Sequence, residues 1–155
     1  MALTSSLVPV YLCIIKNSKM DYSMNKAIVT RFNQEVIEQG NMNSFNELVA
    51  ADVINHSAPE GTSPGPDSMS NFLFHILRTG FSELKVTIYE QIAERDLVTS
   101  RKIIKGIHSG NIFGMRATGK EVDIHVIDII RLKDGKYAEH WGMSNFSEVI
   151  AGLSK

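Results

Sequence analysis

Cysteine is almost absent from this chain of 155 residues, and Cys13 is the only one. A disulfide within the chain is therefore impossible, and no cluster of thiolates can bind a metal ion. This scarcity is compatible with a reducing compartment, and we expect a cytoplasmic protein.

An excess of charge of either sign is also missing. The chain carries 16 basic and 17 acidic residues, for a net charge of -1. Without a basic surface field, we expect neither a nucleic acid nor an anionic membrane as a partner. Hydrophobic residues make up 43% of the chain and charged residues 21%, which is typical of one globular domain.

Familiar metal and nucleotide motifs are missing as well. No HExxH, Walker or GxGxxG sequence occurs, and no two histidines stand four residues apart or in an HxH pair. The five histidines are His56, His75, His108, His125 and His140. We therefore predict no metal site and no cofactor.

No hydrophobic run near the N-terminus is long enough to span a bilayer. Residues 7–15 are apolar, whereas a span takes about 20 residues, and a secretory signal would have a basic residue before this run. We interpret residues 1–22 as a poorly ordered extension or as the result of a start codon assigned too early. The alternative is an arm that packs on a neighbouring subunit. Residues 23–155 are predicted to form one pocket domain.

Three segments of the first half have apolar residues at helical spacing. In the first, Ile28, Phe32 and Val36 recur every four residues. Ser23 and Ser44 are suitable N-caps for the first two helices, and Asp67 or Ser68 is suitable for the third. The first two predicted helices cover residues 24–39 and 44–50, and the third runs from this cap to about residue 78. Between the last two, residues 52–56 predict a short strand, and the proline-rich residues 58–67 predict a loop at a pocket rim.

The apolar spacing changes from 3.6 to 2 after Gly80. Leu84, Val86 and Ile88 alternate with polar residues, as in a strand with one buried face. Strands are predicted over residues 84–92, 97–108, 121–132 and 136–145, with a last short helix over 146–153. Because the helices precede the strands, we predict an α+β fold with a mainly antiparallel sheet.

Strands this long predict a cavity. They exceed the usual five or six residues, so the sheet must twist and coil, and three short helices cover it only in part. A small apolar molecule is the expected ligand of the concave face. In strand 121–132, apolar residues occupy both parities, which predicts that both faces are covered and that His125 and Asp128 are buried polar groups.

Several motifs occur together in one order, namely DVINH at 52–56, GIHSG at 106–110, GMRATGKEV at 114–122 and DGKYAEHW at 134–141. Over about residues 24–153 the chain resembles the SnoaL-like polyketide cyclases, or ester cyclases, of the nuclear-transport-factor-2-like superfamily. The resemblance implies a cone-shaped α+β barrel, with three N-terminal helices packed on a strongly curved sheet around an apolar pocket. It also implies a homodimer or higher homo-oligomer.

The resemblance further implies an intramolecular aldol-type ring closure without metal or cofactor. Such a reaction needs a base beside a carbonyl group and a donor for the enolate oxygen. The family's acid/base is an aspartate a few residues after the tryptophan of the last strand, and Asn145 stands at that position here. An amide accepts no proton near neutral pH, but it can donate to an oxyanion. A non-catalytic binding protein of the same fold is therefore the alternative to an enzyme.

Four residues are the candidates for catalysis. We predict that His56, His108 or His125 moves the proton and that Asn145 orients the substrate. The resemblance places His56 at the pocket. The alternative for each histidine is a structural hydrogen bond. Asp128 is a further candidate base, with a salt bridge as its alternative.

The pocket wall is predicted from strand parity. Trp141 and Met143 share one parity and are predicted to face the pocket, which would turn His140 outward. Phe72 and Tyr89 complete the predicted wall, with Tyr89 as a possible oxyanion donor. Ordinary core packing is the alternative for Trp141 and Met143, and a partly exposed strand position is the alternative for Tyr89.

Overall fold

The computed structural model describes residues 22–155. Of the predicted extension over residues 1–22, residues 1–21 lie outside the described residues. Helix α1 covers residues 22–31 and continues in π-helical geometry over Phe32–Glu38. Helix α3 consists of Pro66–Ser70, a π-helical part over Asn71–Leu77, and Arg78–Gly80. The two other helices are α2 (Met42–Leu48) and α4 (Phe146–Leu153). The strands are β1 (Val49–Asn55), β2 (Phe81–Glu94), β3 (Leu97–His108), β4 (Glu121–Lys133) and β5 (Lys136–Ser144).

The helix caps differ from those predicted. Residue 22 is already helical, so Ser23 lies within α1 and does not cap it. Asn41, and not Ser44, caps α2, because its side-chain oxygen accepts the backbone N–H groups of residues 43 and 44. Gly65 occupies the N-cap position of α3, whereas Asp67 or Ser68 was the predicted cap. The caps were misplaced because Asn, Ser, Asp and Gly are all favourable at this position.

The five strands form one sheet in the order β1-β5-β4-β3-β2. The pair β1–β5 is parallel, and every other pair is antiparallel. The sheet is open, since β1 and β2 are its two edges. Register shifts in the β2–β3 and β4–β5 pairs bend it. The predicted α+β class, with helices on a curved and mostly antiparallel sheet, is confirmed.

The core lies between the helices and the concave inner face of the sheet. Residues of β3 and β4 with even numbers point inward, and they meet the apolar faces of α1, α2 and α3. The core includes Phe32, Val36, Leu48, Leu77, Ile104, Ile124 and Ile130. Burying each such side chain stabilises the fold by roughly 1.5–3 kcal/mol.

The prediction that both faces of β4 are covered is wrong. Val126 and Asp128 point inward, whereas His125, Ile127 and Ile129 are exposed on the outer face. The helices pack on the inner face only, and the strand alternates strictly. The apolar residues of the second parity therefore lie on the convex surface of the chain, and His125 is not buried.

The predicted orientations of Trp141 and His140 on β5 are also wrong. His140 lies opposite Ile130 on the inner face, and Trp141 lies opposite Ile129 on the outer face. The register shifts between Tyr137 and Glu139. Both Tyr137 and His140 therefore point inward, although one has an odd and the other an even number. The sequence pattern of β5 contains no signal for this bulge.

Candidate active site

A cavity of about 700 Å³ lies between α1, α3 and the inner face of the sheet. Its volume is in the range of small-molecule sites. Most of its wall is apolar and includes Phe72, Leu73, Ile76, Ile104, Ile124 and Val126. Residues 57–63 of the proline-rich loop contribute to its rim, as does Phe113.

A buried ion pair interrupts this apolar wall. Lys102 of β3 and Asp128 of β4 both line the cavity, and the Lys102 Nζ to Asp128 Oδ2 distance is 2.6 Å. Their side chains are only 4% and 6% exposed. A buried charge is costly unless it is paired and hydrogen-bonded, so the two side chains depend on each other.

Asn33 of α1 gives Lys102 its second partner. The Asn33 Oδ1 atom accepts a hydrogen bond from Lys102 Nζ at 2.7 Å, and Asn33 Nδ2 donates to the Val29 carbonyl at 2.7 Å. Because a carbonyl only accepts, the second bond fixes the amide with its oxygen toward the lysine. Asn33 lies in the π-helical part of α1, a geometry that is frequent at functional sites.

The ion pair retains unused hydrogen-bonding capacity. Among residues 22–155, Asp128 Oδ1 is buried without a partner. An ammonium group has three hydrogens, and Lys102 gives two of them to Asp128 and Asn33. One Lys102 hydrogen therefore remains for a bound molecule at the cavity wall, whereas Asp128 Oδ1 is an unused but buried acceptor.

A second polar network holds His140 at the cavity wall. The His140 Nδ1 atom lies 2.8 Å from Asn55 Oδ1. The same oxygen accepts the backbone N–H of Ser57 at 3.1 Å, and Asn55 Nδ2 donates to Ser68 Oγ at 2.9 Å. A backbone N–H can only donate, so the Asn55 atom beside His140 is the amide oxygen. His140 Nδ1 therefore carries the proton, and Nε2 carries the lone pair.

The ring of His140 favours its neutral form. Burial lowers its pKa below the ordinary value of 6.5, and Lys102 lowers it further, while Asp128 acts in the opposite direction. Near Nε2, Gly142 leaves space, because a Cβ at that position would lie 3.0 Å from Nε2. A neutral imidazole with a free lone pair is a suitable general base.

Tyr137 supplies a protonated hydroxyl to the same cavity. Burial, and then the charge of Asp128, raises the pKa of Tyr137 well above 10. Its ring stacks on Phe32 with a centroid distance of 4.5 Å. The phenol therefore stays protonated at neutral pH and can donate a hydrogen bond to an oxygen of a ligand.

The predicted wall residues divide into two groups. Phe72 and Met143 line the cavity, and Met143 lies at its mouth with 81% of its surface exposed. Trp141 and Tyr89 do not line it. Trp141 lies on the outer face, and Tyr89 lies under the guanidinium of Arg101 at 4.6 Å from the ring centroid.

The predicted catalytic histidines lie outside the cavity lining. His56 stacks on Trp141 at 4.4 Å, and its Nε2 atom lies 2.7 Å from a Glu139 oxygen. His108 is fully buried, and its Nδ1 atom lies 2.9 Å from Thr118 Oγ1. His125 is exposed. Their catalytic roles stay predictions.

Asn145 does not line the cavity either. Its Oδ1 atom accepts the backbone N–H of His125 at 2.8 Å, so it ties the end of β5 to β4 just before α4. The residues that sequence reasoning missed are Asn33, Asn55, Lys102 and Tyr137. Lys102 alone left a signal, since it interrupts the inward parity of Val98 and Ile104.

Two further properties concern the described part of the chain. Within residues 22–155, no group of three or more histidine, cysteine, aspartate or glutamate side chains is arranged to hold a metal ion. No helix in the same range is long and apolar enough to cross a membrane.

Comparisons with known proteins place the fold. The family model of the SnoaL-like polyketide cyclases matches residues 27–153. No curated protein matches the chain.

Solved structures give the same architecture. IdmH of Streptomyces antibioticus, a proposed polyketide cyclase, is 22% identical, with a TM-score of 0.72 over 84% of this chain and 99% of that chain. AclR of Streptomyces galilaeus, a proposed hydroxylase, is 22% identical, with a TM-score of 0.76 over 86% of this chain and 82% of that chain. A proposed SnoaL-like cyclase of a Jannaschia species is 23% identical, with a TM-score of 0.73 over 86% and 93%.

Proposed function

Since the chain belongs to the SnoaL-like polyketide cyclase family, we propose that it transfers a proton beside the carbonyl group of a small, largely apolar compound, without a cofactor. The observation that carries this proposal is the neutral His140 at the wall of an apolar cavity, with its Nδ1 proton held by Asn55. Such an imidazole presents its Nε2 lone pair to a bound molecule.

The remaining polar groups support the same reaction. When His140 takes a proton from the carbon next to a carbonyl group, negative charge develops on the carbonyl oxygen. The third hydrogen of the Lys102 ammonium and the hydroxyl of Tyr137 can stabilise that charge. Donors of this kind contribute most where water is excluded. In a substrate with a second carbonyl group, the enolate carbon can then close a ring, and His140 returns the proton to the new alkoxide.

This assignment differs from the expected placement of the base. Asn145, at the position of the family's aspartate, accepts a backbone N–H and accepts no proton near neutral pH. In our proposal, His140 transfers the proton instead, and it lies on β5, the strand that precedes Asn145. Asp128 remains a carboxylate of the cavity whose charge Lys102 balances.

A non-catalytic binding protein is the second candidate. It is favoured by Asn145 in place of an aspartate and by the absence of His56, His108 and His125 from the lining. In that case the cavity binds an apolar ligand, and His140 only donates or accepts a hydrogen bond.

Deuterium exchange separates the two candidates. The α-hydrogens of acetophenone, a small apolar ketone, are followed by NMR in D2O with the wild-type protein, His140→Gln and the exposed-site control His75→Gln. Catalysed exchange that only His140→Gln abolishes supports the enzyme. Saturable binding of acetophenone without exchange in any of the three proteins would contradict it and support the binding protein.

A further inference from the structure

We propose that Lys102 forms a covalent imine with an aldehyde or ketone bound in the cavity. This reaction goes beyond the proton transfer proposed above, because it uses a different residue as a nucleophile. It shares with that proposal the cavity, the carbonyl class of ligand and Lys102, which in the proton transfer only donates a hydrogen bond.

Lys102 has the surroundings that this chemistry needs. It is a primary amine at the wall of an apolar cavity, and only 4% of its side chain is exposed. A carboxylate 2.6 Å away can receive a proton from Nζ. Lysines that form imines with carbonyl compounds commonly lie in hydrophobic pockets.

The proton balance of the step closes within the pair. Asp128 Oδ2 takes one proton from the Lys102 ammonium, and the freed Nζ lone pair forms a bond to the carbonyl carbon. The C=O π electrons move to oxygen, which becomes a hydroxyl with a second proton from Nζ. Asp128 then returns its proton to that hydroxyl, the C–O bond breaks, and one water molecule leaves the C=N product.

Two neighbouring features support the step. Asp128 Oδ2 lies 2.6 Å from Nζ, close to where the hydroxyl of the Nζ-bound intermediate forms. Asn33 Oδ1 accepts one N–H of Lys102 and fixes the direction of Nζ. The apolar wall limits access of water, and water would reverse the step by hydrolysis.

The chain contains a matched control on the same strand. Lys105 pairs with Asp123 at 3.3 Å, but its side chain is 56% exposed on the outer face. It is therefore also a lysine beside an aspartate, without the cavity. Any label that depends on exposure alone favours Lys105 over Lys102.

Reductive trapping tests the proposal. The full chain is incubated with benzaldehyde and sodium cyanoborohydride, which reduces the C=N bond to a stable secondary amine, and tandem mass spectrometry locates each benzyl group. We expect labelling of Lys102 that exceeds that of Lys105, and a loss of this label when benzyl alcohol, which has no carbonyl group, fills the cavity. Lys102→Arg should lose the cavity label, while Lys105→Arg should keep it.

Labelling of exposed lysines with Lys102 unmodified would overturn the proposal. If Lys102→Arg does not fold, the comparison of Lys102 with Lys105 within the wild-type protein decides. Acetophenone exchange that persists while Lys102 stays unlabelled would overturn the imine alone and leave the proposed proton transfer intact. Labelling of Lys102 without acetophenone exchange would overturn the proposed proton transfer and leave the imine intact.

Discussion

His140 Nδ1 lies 2.8 Å from Asn55 Oδ1, and this amide oxygen also accepts the backbone N–H of Ser57. The second bond settles the orientation of the amide, and the amide in turn settles the tautomer of the imidazole. Asn55 ends β1 and His140 lies on β5, so the only parallel strand pair of the sheet brings them together.

Replacement of Asn55 tests its positioning role. Asn55→Ala leaves the Nδ1 proton of His140 and the Ser57 N–H without their acceptor, so we expect a loss of about 1–3 kcal/mol in the free energy of unfolding. Nitrogen NMR should also show His140 as a mixture of tautomers, whereas the wild type shows Nδ1–H only. The exposed Asn43→Ala is the control. An unchanged tautomer in Asn55→Ala would contradict the assigned role.

The space beside His140 Nε2 depends on a glycine. A Cβ at residue 142 would lie 3.0 Å from Nε2 and 3.1 Å from Cε1, so Gly142→Ala should displace the ring. A shift of about 1 Å can lower a rate about 100-fold, but the ring has to move by only a few tenths of an ångström, so we expect a smaller, measurable loss in acetophenone exchange. Gly152→Ala is the matched control, because its Cβ meets nothing within 4 Å. Equal rates in the two variants would contradict this account.

The two lysine–aspartate pairs should differ in their contribution to stability. Asp128→Asn leaves the buried Lys102 without its counter-charge, and we expect a loss of about 3–5 kcal/mol in chemical denaturation. Asp123→Asn removes the partner of the exposed Lys105 and should cost less than about 1 kcal/mol. Similar losses in the two variants would mean that Lys102 is not buried as described.

The oligomeric state stays a prediction, and the outer face indicates where it can be tested. Ile127 and Ile129 are exposed apolar residues on this convex surface, and Trp141 lies opposite Ile129 on the same face. We expect a homo-oligomer in light scattering after size exclusion, and Ile129→Asp should dissociate it. Met42→Asp, at an exposed apolar site on α2, should not. A monomeric wild-type protein would contradict the expectation.

The sequence pattern located the elements well and the faces poorly. Strands β3 and β4 follow the alternation closely, and turn residues such as Gly135, with φ +74°, mark the end of β4. The outer-face residues of β4 are as apolar as the inner ones. Hydrophobicity alone therefore could not show which face the helices cover, and His125 was predicted to be buried.

The polar groups of the cavity were harder to predict for a different reason. Each depends on a partner that is distant in sequence: Lys102 on Asn33 of α1, and His140 on Asn55 of β1. Only the tertiary fold brings such pairs together. Asp128 was recognised as an interruption in an apolar strand, but Lys102 was overlooked because lysines are common in exposed strand positions.

The pH dependence of acetophenone exchange tests the role of His140 most directly. Because the pKa of His140 is lowered from 6.5, its neutral, proton-accepting form predominates above pH 6.5 and is lost as the pH falls through the lower folded-state pKa. We predict a rate that levels off at high pH, an acid limb with its midpoint below 6.5, and a decrease of about 10²–10⁴-fold in His140→Gln. A midpoint above 6.5, or the same acid limb in His140→Gln, would contradict His140 as the base.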